Sequence, residues 1–170
     1  MSTDHRLHLA AATRNFIEVR NQLKKGVSID LAMKDDEART ALAHVCFTCK
    51  DDAGDEVTVQ KLLDLEANPN KASHRGVTPL MCAAARGNVP IVKLLLSRKA
   101  DARAVATGGI WADKSALMIA QSFYNVHKQQ NHAAVVAILQ EVVGPEGSAP
   151  APAPTAPASV AVPAPVPAQV

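Results

Sequence analysis

The sequence predicts an all-α solenoid, a row of stacked helical hairpins followed by an extended tail, and three observations carry that expectation. A unit keyed to one leucine recurs along the chain, with Leu7, Leu42, Leu80 and Leu117 in register. Aromatic residues make up only 3% of the composition, so the core has to be assembled from Ala, Val, Leu and Ile, which suits closely spaced helices better than one large globular centre. From Gly144 onward the chain turns almost entirely to Pro, Ala and Val.

In the first unit Leu7-His8-Leu9-Ala10-Ala11 opens a helix and leads to Val19, Leu23 and Gly26. The second opens at Thr40-Ala41-Leu42 and reaches Val59, Leu62, Leu63 and Ala67-Asn68 after a long segment from Thr48 to Asp55. The third is the most regular. Thr78 is placed to cap its first helix, and Pro79 sits in the first turn, where a proline costs no hydrogen bond and its fixed φ is already helical. Small Ala83 and Ala84 let a neighbouring helix approach, and Gly87 can take the left-handed conformation that ends the helix. Ile91, Val92, Leu95 and Leu96 then recur at helical spacing on a second helix. The fourth unit, Ser115-Ala116-Leu117-Met118-Ile119-Ala120, passes through another long segment, Tyr124 to Asn131, to Val135, Ile138 and Leu139. Both long segments are polar and read as inserted loops. Each unit is a hairpin with one apolar face, which only stacked neighbours can bury.

The run Thr78-Pro79-Leu80-Met81-Cys82-Ala83, followed by Gly87 and by Ile91-Val92-Lys93-Leu94-Leu95-Leu96, resembles the ankyrin repeat, whose unit of about 33 residues opens with Thr-Pro-Leu-His-x-Ala. Met81 replaces the motif histidine here, whereas His8 occupies that place in the first unit. The resemblance covers residues 4–143, divided approximately into 4–36, 37–74, 75–111 and 112–143, with 144–170 a Pro/Ala-rich low-complexity tail. It implies an ankyrin-repeat solenoid whose helix-turn-helix units are joined by β-hairpin fingers, with recognition through the finger tips and the groove floored by the inner helices.

On that register the finger tips carry unlike chemistry: acidic Asp36 and Glu37 on the first, basic Lys71, His74 and Arg75 on the second, Ile110 and Trp111 on the third. Arg86 stands on the adjoining inner-helix floor with Phe47, Ile119, Ser122 and Phe123. Trp111, the only tryptophan, reads either as an interface anchor or as a residue packing over its own hairpin, and Phe47 and Phe123 either as groove floor or as core.

The implied function is a non-enzymatic protein–protein interaction module, an adaptor or structural subunit of a hetero-complex, with no cofactor. The alternative is an inhibitor that docks on an enzyme such as a protein kinase. A net charge of +2 is too small to argue for nucleic acid or a membrane surface. The first residues are polar and no apolar run of about 20 residues appears, which speaks against a signal peptide or membrane insertion and for an intracellular, cytoplasmic protein. Three cysteines without an even pairing scheme point the same way. Cys46-Phe47-Thr48-Cys49 has the CxxC spacing but lacks a second ligand pair, and Cys46 falls where the repeat needs a small buried residue.

The tail holds eight of the eleven prolines and one charge, Glu146. Alternating Ala and Pro favours a polyproline II spacer. The helix before it is expected to turn Val135, Ile138, Leu139 and Val142 inward and to leave a second apolar strip, Val136 and Val143, to be covered by the tail or by a neighbouring subunit.

Overall fold

Small residues recurring at helical spacing allow helices to lie close together, and the chain stacks them in two layers. The structure, a computed structural model, describes residues 3–33, 38–49, 53–127 and 130–144. Its helices are α1 (Thr3–Ala12), α2 (Phe16–Lys24), α3 (Ala41–Thr48), α4 (Ala53–Asp64), α5 (Pro79–Arg86), α6 (Val89–Ser97), α7 (Ala116–His127) and α8 (Gln130–Val143), with one 3-10 turn at Gly109–Trp111. Consecutive pairs form hairpins. The inner helices α1, α3, α5 and α7 pack one on the next, and α4, α6 and α8 do the same on the outer side. Leu7, Leu42, Leu80 and Leu117 are all buried, so the leucine that sets the register is the stacking residue of every unit.

Local chemistry explains where the helices start. Thr40 and Thr78 hold extended backbone and accept from the amides of Ala43 and Met81, each at 3.3 Å. Met81 answers in kind, its Sδ accepting from the Thr78 N–H at 3.5 Å, so the thioether closes the cap of its own helix. His8, which keeps the imidazole, bonds through Nε2 to the Arg39 carbonyl at 3.0 Å and ties the first unit to the stem of the first finger. Asn15 and Asn88 cap α2 and α6 by accepting from Glu18 N and Ile91 N.

Backbone regularity also explains where the helices stop. All four outer helices are followed by a left-handed residue, with φ of 81° at Gly26, 66° at Glu66, 64° at Lys99 and 76° at Gly144. A side-chain ladder then links successive units. The Asp30 carboxylate accepts from Asn68 N at 2.9 Å, the Asn70 side-chain oxygen accepts from Asp101 N at 2.7 Å, and Arg103 Nη2 donates to the Val143 carbonyl at 3.2 Å.

Three expectations need correcting. Among the described residues no strand forms: the second finger is a turn closed by Ser73 N–H to Val77 O at 3.0 Å, and the third is closed by the isolated bridge between Val105 and Ser115. Spans this short leave room for one or two rungs and no ladder. The described residues of the inserted segments are largely helix and not loop. Tyr124, where the third unit has Gly87, does not break the helix, so α7 runs on to His127, and α4 already begins at Ala53. On α8 the buried line is His132, Val135, Leu139 and Val143, while Val142 is 53% exposed: both valines lie within a turn of Leu139, and it is Val143, whose carbonyl is held by Arg103, that faces the stack. Val136 is half-buried against the core, so the expected outer strip is largely covered by the fold itself.

Candidate partner-binding groove

The third finger is positioned by the second. Arg75 O accepts from Thr107 N at 2.8 Å and from Gly108 N at 3.2 Å, and the Arg75 side chain lies under Gly109, where an added Cβ would sit 3.0 Å from its Cδ. Gly109 also has φ 75°, so the position needs glycine on conformational as well as steric grounds. The 3-10 turn that follows swings Ile110 outward, 84% exposed, and turns Trp111 inward, 8% exposed. The expectation that both residues share an exposed tip therefore holds for Ile110 alone. The indole lies 6.4 Å from the Phe47 ring, and the Arg39 guanidinium covers Phe47 at 4.0 Å. Side chains from the first finger's stem, α3 and the third finger thus form one stack.

Between this finger and α7 opens a groove of about 210 Å³, lined by Ile110, Trp111, Lys114, Ile119, Ser122, Phe123 and Val126. Val126 is 74% exposed and belongs to the extra turn of α7. Phe123, half-buried, stacks on His132 at 5.8 Å, and His132 Nε2 bonds to the Ala85 carbonyl at 3.1 Å. The groove is apolar with Lys114 at its margin.

Of the candidate residues, Arg75, Ile110 and Trp111 come together at the third finger, and Lys71 and His74 are exposed on the second. Arg86 reaches away, donating from Nη2 to the Cys49 carbonyl at 3.1 Å, where it secures the end of α3. Asp36 and Glu37 lie outside the described residues. Lys114 and Val126 were missed. Val126 was legible as the next member of the helical series Ile119, Phe123, Val126, but its segment read as a loop.

Cys46, Cys49 and Cys82 are all buried, and none is in a disulfide. Burial pushes the Cys46 thiol well above the usual cysteine range, and Cys49 Sγ donates to the Cys46 carbonyl at 3.2 Å. Among the described residues no group of His, Cys, Asp or Glu is arranged to hold a metal ion, and no helix is long and apolar enough to cross a membrane.

A stack of helical hairpins with projecting turns and an open groove defines a repeat solenoid built around a surface and not around an enclosed cavity. The family model described as ankyrin repeats (3 copies) matches residues 7–106 and, overlapping, 47–142, and the chain belongs to the ankyrin-repeat family. Ankyrin repeats are in general protein–protein interaction modules. No curated protein matches the chain.

Proposed function

We propose that the chain is a non-enzymatic adaptor or structural subunit of a larger assembly, holding a protein partner across its second and third fingers and the groove beside α7. The supporting observation is the groove itself: two of the most exposed large apolar side chains among the described residues, Ile110 and Val126, flank one concavity floored by Trp111, Ile119 and Phe123. Contiguous exposed apolar surface of this kind is what interaction sites present. Lys71 and His74 supply a polar rim, whereas Arg75 and Arg86 contribute by holding the third finger and α3 in place. Asp36 and Glu37 extend the surface to the first finger on sequence register alone.

The test is affinity capture with the full chain and with its Ile110→Asp variant, followed by mass spectrometry. A partner retained by the parent and lost by the variant, with unchanged circular dichroism, supports the reading. Equal capture by both would overturn it. Where the captured protein is an enzyme, its activity with and without the chain separates adaptor from inhibitor.

A further inference from the structure

We propose that the Ala/Pro/Val segment of this same chain, residues 145–170, occupies the groove between the third finger and α7. The segment lies outside the described residues, and the inference rests on where it departs, how far it reaches and what it can contact.

Departure comes first. Gly144 holds φ 76°, the conformation that Gly26, Glu66 and Lys99 adopt after the other three outer helices. After Glu66 and Lys99 the chain leads into the second and third fingers. The Arg103 bond to the Val143 carbonyl fixes the end of α8 beside the base of the third finger.

Reach is then ample. From Arg103 to Ile110 the chain covers at most about 25 Å even when fully extended, whereas residues 145–170 span about 80 Å as polyproline II. A tether of this kind presents its ligand at roughly millimolar local concentration, so even weak docking keeps the groove filled.

Chemistry selects the occupant. The groove offers an aromatic and aliphatic surface formed by Trp111, Phe123, Ile110 and Val126, and proline-rich extended segments dock in aromatic-lined grooves because their conformation is already set. The tail supplies prolines spaced by Ala and Val, with Val160, Val162 and Val166 toward its distal half and no charge beyond Glu146. The outer side of α8 offers less, since Val143 is buried and Val136 and Ile138 are half-buried, which leaves Val142 as its one exposed large apolar side chain among the described residues.

The placement itself needs no partner. Its consequence, that a protein entering the groove must displace the tail, rests on the function proposed above.

The experiment is methyl NMR on the full chain. Nuclear Overhauser contacts are expected from tail valine methyls to the Ile110 methyls and the Trp111 indole, unchanged on dilution. The contacts to the Trp111 indole should vanish in Ile110→Asp, and the Ile110 methyl shifts should move in the triple variant Val160→Asp, Val162→Asp, Val166→Asp. Tail methyls at random-coil shifts without such contacts would overturn the proposal. So would contacts appearing only between differently labelled chains, which would make the occupant a second copy. A chain that binds no partner but shows the contacts leaves this inference standing, so the two readings fail separately.

Discussion

Arg14 stands in the first hairpin where Gly87 stands in the third, and both are left-handed, with φ of 60° and 71°. Arg14 uses that turn to aim Nη2 at the Asp55 carboxylate, 3.1 Å away on the first turn of α4. A strained backbone angle is thus coupled to an ion pair between units. The arginine side chain is 44% exposed, so solvent screening limits the pair to about 0.5–1 kcal/mol. Arg14→Ala keeps the strain and loses the pair, and should cost about that amount in urea unfolding. Arg14→Gly loses the pair but relieves a left-handed penalty of about 1 kcal/mol, and should fall close to the parent.

Gly87 and Gly26 make a matched comparison. Both are left-handed, but an added Cβ at Gly26 meets nothing within 4 Å, whereas at Gly87 it would fall 2.8 Å from His132 Cε1. Gly26→Ala should cost about 1 kcal/mol, the conformational term alone. Gly87→Ala should cost about 1–3 kcal/mol more, because His132 is buried and stacked and cannot retreat. Equal losses in denaturant melts would mean that the His132 contact relaxes freely.

Trp111 and Ile110 are adjacent yet separate stability from recognition. Trp111→Ala removes a buried ring from the Phe47 stack and should destabilise by about 3–5 kcal/mol. Ile110→Ala changes a side chain that is 84% exposed and should leave stability within about 0.5 kcal/mol while weakening partner capture. Melting curves measured beside binding distinguish the two.

The thiols give a pH prediction with a definite sign. Cys46 has its pKa raised by burial from an ordinary value of 9.0, so the unfolded chain releases this proton at lower pH than the folded one. Its contribution to stability is fully present below pH 9.0 and is lost as pH rises toward the folded value. Native protein at pH 8 should leave Ellman's reagent unreacted, and unfolding in urea should release all three buried thiols, Cys46, Cys49 and Cys82.

Much of this was legible because the chain repeats itself. The Thr78 cap, the Gly87 turn and the leucine register are local patterns, and each copy corroborates the others. What escaped depends on distance or on phase. Trp111 faces inward because a 3-10 turn at Gly109 presents it to Phe47, a residue of the second unit that no local pattern links to it. Tyr124 to His127 read as a loop because alignment to the shorter units left them over, although nothing in those residues breaks a helix. The exchange of Val142 and Val143 is an error of one residue, which on a helix is a rotation of about 100°.

Arg39, Phe47 and Trp111 tie the stem entering α3 and the third finger to one inner helix, so these two segments brace each other. Arg75, bonded through its carbonyl to the third finger, adds a brace from the middle turn. Under the proposed function, a partner docking between the second and third fingers would meet turns already braced against the stack, and association would lose less entropy to ordering them.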